Sequence, residues 1–483
     1  MSQRIIGPFS RVEGNLELRL QIEDNRVREA RVSSQMYRGF ERMLVGRKPQ
    51  DALVITPRIC GICSVSQSVA AASALAILSG ATPPPNGELA TNLIHGCENL
   101  ADLLTHFYLF FMPDFANPAY RDEPWYGEAA GRFRALEGEA AAEALRARAE
   151  LLHLIGLLAG KWPHSLAIQP GGTTRSVDAG ERLRLLSILR RFRAFLEKVT
   201  FGAPLEALVE LDSAGQLQRW SQSPAVAASD MGRFLDLSER LGLSALGKGG
   251  GRFMSYGAYP QAGAHLFSSG LFSDALKVLD TEAIAEDVSH SWMRPAPPLH
   301  PRNGETQPLA DRASAYSWCK APRLDGQVVE VGALARQLVD GNPLALDLNA
   351  TEGANVHSRV VMRLWEMARL LLAMEDWADA LVPNEPFFRA GLSAPQEGEA
   401  VGMVEAARGS LGHWMRVRNG LIDHYQIIAP TSWNFSPRDA NGQPGALEQA
   451  LRDAPVRALD GENPVAVQHI VRSFDPCMAC TVH

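Results

Sequence analysis

The sequence predicts a mainly helical α+β protein, a central helix bundle with small peripheral β-sheets. Three observations predict it. Long middle segments carry apolar residues at three- and four-residue steps. Segments near both ends alternate apolar and polar residues. No repeat or low-complexity linker divides the chain. A single domain over residues 1–483 is therefore expected, rather than the several that length alone suggests.

The first element is a β-hairpin. "RVEGNLELRLQIEDNRVREARVSS" alternates around "EDNR", whose Asp and Asn suit a tight turn. Three helices follow. "EAAAEALRARAELLHLIGLLAG" ends at Gly160, with Pro163 beyond it. "DAGERLRLLSILRRFRAFLEKV" opens on a good cap, Asp178. "NVHSRVVMRLWEMARLLLAMEDWADALV" stops before Pro383. Pro295 to Pro308 reads as an extended loop, and "GSLGHWMRVRNGLIDHYQIIAP" as a second β-rich stretch.

Composition narrows the function. Hydrophobic residues make up 46% and charged residues 21%, an ordinary globular balance. With 47 basic and 54 acidic residues the net charge is −7, which gives no reason to expect nucleic acid or an acidic membrane surface. The longest apolar run, residues 151–160, is too short to span a bilayer. The N-terminus has no export signal of its own, although export bound to a partner stays open. "GKGGGR" at 247–252 lacks the spacing and Ser/Thr of a phosphate loop and reads as a flexible turn.

The 6 cysteines carry more information. Without an export signal they do not read as a disulfide framework. Cys97 and Cys319 stand alone and are expected to be small buried hydrophobes. Cys60 and Cys63 form one C-x-x-C; Cys477 and Cys480 form another, followed by the terminal His483. The residues after Cys63 have good helix propensity, so Cys63 lies near a helix N-terminus that favours thiolate. Arg58 adds positive charge and Gln67 falls on the same helix face as Cys63. A redox disulfide needs only one such pair. A structural zinc site could use both, but zinc ribbons keep their pairs close, and these lie at opposite ends of the chain. Soft thiolates with acids nearby also suit a redox-active transition metal.

"RICGIC" and "DPCMAC" with the terminal histidine resemble the two signatures of nickel–iron hydrogenase large subunits. "RVEGNLEL", "YRGFERMLVGRKPQDA", "DLLTHFY", "YSWCKAPRLDGQVVEVGALAR", "ARGSLGHW" and "YQIIAPTSWNFSPRD" also resemble family segments in the expected order, so the resemblance runs from Arg11 to His483. It implies the fold of that large subunit and a Ni-Fe centre. Cys60 and Cys477 would bind nickel alone, Cys63 and Cys480 would bridge to iron, and the iron would carry carbon monoxide and cyanide. Heterolytic cleavage of H2 needs a metal to take the electron pair and a base to take the proton. Cys477 would be that base and Glu13 the outward relay; a surface carboxylate on a strand is the alternative for Glu13. Arg408 would hydrogen-bond the iron's cyanide. Asp102 and Asp475 would orient it, with a plain buried ion pair as the alternative. Glu41 and His483 match ligands of a Mg2+ or similar ion near the C-terminus. Many relatives are made with an extension after this histidine. A chain already trimmed and a gene without the extension are both compatible with an end at His483.

Departures from the family pattern bear on the role. Ala407 replaces the usual proline before the arginine, and Gln67 replaces a histidine. Ile62 and Phe110 are bulky where smaller residues border the gas route. Together Gln67, Ile62 and Phe110 resemble the regulatory, hydrogen-sensing branch, although each alone could be a neutral packing variant. The expected function is heterolytic H2 cleavage in a sensor that signals to a histidine kinase, which places it in the cytoplasm. The alternative is an uptake hydrogenase feeding a respiratory chain. Two remaining cysteines cannot hold a four-ligand cluster, so an iron–sulfur small subunit is expected. Maturation proteins and a possible dimer of heterodimers complete the expected partners. A non-catalytic scaffold or a zinc protein fits poorly with all four cysteines present.

Overall fold

The computed structural model describes residues 2–391, 396–457, 460–461 and 463–483. The chain begins with the predicted hairpin. β2 (Leu16–Glu23) pairs antiparallel with β3 (Arg26–Ser34), Leu20 opposite Ala30. Asp24 and Asn25 both take positive φ, 52° and 57°, the backbone that matches a tight turn to strand twist. β1 (Ser2–Ile6) adds a third strand on the β2 side, which its polar start concealed.

The helices form the centre. α1 (Ser64–Ser79) and α2 (Pro85–Thr105) precede the three read from periodicity: α3 (Glu139–Ala159), α4 (Ala179–Phe195) and, later, α6 (Val356–Ala380). Asp178 caps α4 in a reciprocal capping box with Glu181, and Asn355 caps α6 with Ser358. α6 packs against α2 and α4, and α2 against α3. The short α5 (Ala333–Val339) lies between α6 and a sheet of β4 (Phe253–Gln261), β5 (Ala264–Phe272) and β6 (Leu276–Lys277). That sheet escapes the sequence pattern because Ser255, Gly257, Pro260 and Gly263 dilute its alternation.

The second β-rich stretch is a meander of β7 (Gly398–Ala406), β8 (Gly409–Arg418) and β9 (Leu421–Ile428). β7 was not expected, since "GEAVGMVEA" has no strand preference. It lies on α1, whose face there is built of small residues: Ala70, Ala71 and Ala74 are buried. The approach is close enough that a Cβ on Gly402 would meet the Ala70 carbonyl at 1.8 Å. Gly402→Ala is therefore expected to cost about 1–3 kcal/mol by overpacking, read as a lower urea midpoint. α7 (Val465–Ser473) and α8 (Met478–Thr481) end the chain inside the protein. One apolar core runs from Ile6 to Cys480 and includes the paired cysteines. No described helix is long and apolar enough to cross a membrane.

Candidate metal centre

The fold closes its two ends on each other. Cys60 and Cys63 lie on the bend before α1, with Cys63 at its N-cap; Cys477 is the N-cap of α8 and Cys480 lies within it. The four sulfurs lie within 4.8 Å of one another and all four residues are buried. Cys63 and Cys480 are 3.0 Å apart, Cys477 and Cys480 3.2 Å, and Cys60 and Cys477 3.5 Å. Hydrogen bonds from Cys477, Cys480 and Cys63 hold the Cys60 thiol well below its ordinary pKa. Their counterparts push Cys63 and Cys480 well above theirs. A set that shares its protons in this way readily gives up all of them to a soft cation.

Long-range contacts fasten the ends. Met478 N–H donates to the Glu13 carbonyl at 2.7 Å, which lays "RVEG" alongside Cys477. The close approach requires Gly14: its φ is +81°, and a Cβ there would sit 2.9 Å from Ala479 N. Burial, then the nearby Cys60, raises the Glu13 carboxyl. One Arg38 nitrogen donates to the carbonyls of both Ile59 and Ala479, so a single cation clamps the two motifs. Glu98, from α2, accepts from the Val65 and Ser66 N–H groups at 2.8 and 2.9 Å and so caps the first turn after Cys63. Arg58, expected to favour thiolate, is exposed and donates to the Val54 carbonyl; the cation beside the thiolates is Arg408.

Arg408 is buried and fully engaged on one side. Its Nη1 and Nη2 donate to the two Asp102 oxygens, and Nε donates to the Asp475 carbonyl at 3.1 Å. The Asp475 carboxylate lies 3.2 Å from Nη2. Both acids thus lie against the arginine. Burial pushes the Asp102 carboxyl up to about 8. At Asp475 burial is more than offset by Arg408, and the carboxyl falls below its ordinary value. These hydrogen bonds place three of the five guanidinium N–H donors, and the Asp475 carboxylate stands within reach of a fourth. Ala407, where a proline was expected, is restrained from outside: Arg336 donates to the Ala406 and Ala407 carbonyls, each at 2.9 Å.

Glu41 and His483 also come together. His483 Nδ1 lies 2.8 Å from the Cys480 carbonyl, and Nε2 lies 2.7 Å from the Ile427 carbonyl and 3.4 Å from Glu41 Oε1. Glu41 Oε1 also accepts from the Ile427 N–H at 2.8 Å and Oε2 from the Thr306 hydroxyl, so the carboxylate and the His483 ring share one buried corner. Burial disfavours the Glu41 carboxylate, but Lys320, His483 and Thr306 hold it down at about 2. Lys320, 3.8 Å from Glu41 and 2.8 Å from Glu286, is the ammonium already present there.

Of the remaining predicted residues, Ile62 is half-buried between the first two cysteines and packs on the core. Phe110 lies in a π-helical turn (His106–Phe111); its side chain is half-buried and its carbonyl accepts from Arg11 at 2.7 Å. Gln67 is buried and its Oε1 lies 2.8 Å from His413 Nε2. Arg38, Glu98, Arg336, Lys320 and His413 were not singled out from sequence. Their partners are distant in the chain; Arg38, Lys320, Arg336 and His413 fall within the resembling segments and Glu98 just before one of them.

Comparison with known proteins accords with this geometry. The nickel-dependent hydrogenase family matches residues 38–122 and 240–483. A periplasmic NiFeSe hydrogenase large subunit from Desulfomicrobium baculatum is 30% identical over 99% of this chain and 94% of its own length. An uptake hydrogenase large subunit from Rhodobacter capsulatus is 27% identical over 99% and 94%. The solved Ni-Fe-Se hydrogenase from Desulfovibrio vulgaris Hildenborough in its reduced state superimposes with a TM-score of 0.85 at 31% identity, covering 100% of both chains. With its paired cysteines joined as in no local zinc staple, the chain belongs to the nickel-dependent hydrogenases, as the large subunit of a nickel–iron enzyme.

Proposed function

We propose that this chain oxidises H2 as the large subunit of an uptake-type hydrogenase that feeds electrons to a respiratory chain. The convergence of four buried thiols carries the reading of the centre, and the relative named as an uptake enzyme supports the role. The donor set fits nickel and iron: four soft ligands, buried, beside a buried guanidinium whose charge suits small anionic ligands. Cys60, Cys63, Cys477 and Cys480 would hold the Ni-Fe centre, whose iron would carry carbon monoxide and cyanide. When bound, the centre supplies the Lewis acidity that polarises H2. Cys477 Sγ takes the proton. Glu13, laid against Cys477 by the Met478 hydrogen bond, passes it outward. Arg408, held by Asp102 and Asp475, would offer its remaining N–H donor to the iron's cyanide. Burial of all four cysteines keeps bulk water away. The corner at Glu41, His483 and the Ile427 carbonyl would take Mg2+, with waters completing its shell.

Partners follow from chemistry. Outside the centre only Cys97 and Cys319 remain, both buried, and two thiols do not hold an iron–sulfur cluster. The electrons therefore leave through a small subunit that carries clusters, and maturation proteins install the metals. The test is an infrared spectrum of the purified pair under argon and then H2. Metal-bound carbon monoxide and cyanide bands that shift with H2 support the reading; zinc-containing protein without bands overturns it.

A second reading, H2 sensing through a histidine kinase in the cytoplasm, is favoured by Gln67, Ile62 and Phe110, although none of the relatives described above is named as a sensor. It extends to a dimer of heterodimers. Co-purification separates the two: a histidine kinase for the sensor, a cytochrome or quinone-linked membrane partner for the uptake enzyme. Replacing Ile62 with Val and Phe110 with Leu together is expected to raise sensitivity to O2, measured as the residual H2 oxidation rate after exposure. An unchanged rate removes the gas-passage argument.

A further inference from the structure

Gln67 lies one helical turn beyond Cys63, and its backbone N–H donates to the Cys63 carbonyl at 3.2 Å. Residues four apart share a helix face. The orientation of this amide therefore decides whether a donor or an acceptor is presented beside the cysteines. A glutamine amide can be turned over at almost no steric cost, so something else must choose.

The choice is made on the neighbouring sheet. Gln67 Oε1 lies 2.8 Å from Nε2 of His413 on β8, and His413 Nδ1 lies 2.9 Å from the hydroxyl of Tyr425 on β9. All three residues are buried, exposed by 1%, 0% and 1% in that order. Burial keeps His413 neutral, with its pKa down at about 3, and pushes the Tyr425 phenol up, so its proton stays on. A neutral imidazole has one donor and one acceptor. Among the described hydrogen bonds, His413 Nδ1 is the partner of the Tyr425 hydroxyl. A buried hydroxyl that did not donate there would leave its proton unsatisfied. Tyr425 therefore donates to Nδ1, Nε2 carries the hydrogen, and that hydrogen goes to Gln67 Oε1. The Gln67 amide nitrogen is left on the side away from His413.

We infer that His413 and Tyr425 are positioning residues that fix the Gln67 amide, so that its N–H2 group rather than its oxygen is presented on the cysteine side. The three form a relay of orientation rather than of protons, since an amide does not titrate. The inference rests on the proposed Ni-Fe centre with its diatomic ligands, which serve as the reporter.

The experiment uses the mature heterodimer and reads carbon monoxide and cyanide stretches in four forms: parent, Tyr425→Phe, His413→Leu and His413→Gln. Tyr425→Phe is near-isosteric and keeps the fold while releasing the ring. The expected result is displaced or split bands in Tyr425→Phe and His413→Leu, and bands near the parent's in His413→Gln, whose amide can still donate to Gln67. Each change is repeated in a Gln67→Leu background, where the displacement should vanish because there is no amide to orient. Unchanged bands in Tyr425→Phe and His413→Leu overturn the inference, as do equal displacements with and without Gln67, which would mark a structural effect. Absence of bands in the parent is a different failure: it overturns the centre itself, and this inference with it.

Discussion

Cys477→Ser is expected to abolish H2-dependent dye reduction while leaving the chain folded. Loss of a positioned general base alone lowers a rate by about 10²–10⁴-fold. Here the same atom is also one of four thiols, so nickel retention should fall with it. The alkoxide that serine would need is not accessible near neutral pH, and its oxygen is a harder donor than sulfur. Metal analysis and the circular dichroism spectrum of the variant separate the effects: nickel near the parent level with no turnover marks the proton acceptor, and loss of nickel marks the ligand. A variant that turns over at the parent rate would mean that Cys477 is misassigned. The same substitution at Cys97, buried far along α2 with its thiol on the Leu151 carbonyl, should leave turnover intact.

The second large effect concerns stability. Arg336 is a fully buried cation. It meets Glu366 through Nε at 2.9 Å and Nη2 at 2.5 Å, and Glu405 through Nη1 at 2.8 Å. Arg336→Met leaves two carboxylates without their counter-charge and should cost about 3–5 kcal/mol, read from the urea midpoint. Adding Glu366→Gln and Glu405→Gln should recover part of the loss, because the penalty is an unpaired charge rather than a missing contact. If the triple variant is no better than the single one, the penalty lies in packing. Since Arg336 also holds the carbonyls before Arg408, the single variant is expected to lose H2 oxidation at temperatures where it is still folded.

How much of this could be read from sequence depends on the range of the interaction. The helices from Glu139, Ala179 and Val356 were legible because a 3.6-residue period and a local cap are written within twenty-odd residues. The hairpin turn at Asp24 and Asn25 was legible for the same reason. β4 and β5 were not, because glycine, proline and serine interrupt their alternation and packing against α5 holds them instead. The cysteines announced themselves by residue type and pairing. What joins them did not: Arg38 reaches the Ala479 carbonyl across the whole chain, and nothing in "YRGF" foretells where a guanidinium will land. Arg408 with Asp102 and Asp475 was found through resemblance, and the restraint that replaces the missing proline at Ala407 came only with the fold.

The union of the two ends has a consequence for biosynthesis. A ribosome adds about 5–20 residues each second and releases the N-terminal part first. Cys60 and Cys63 emerge early, and Cys477 is added 414 residues after Cys63. For roughly 20–80 seconds, by that rate, the nascent chain exposes half a centre: two thiols open to whatever soft ion or oxidant the cell offers. Any device that delivers the correct metal must therefore either guard that pair during translation or displace what it has already caught.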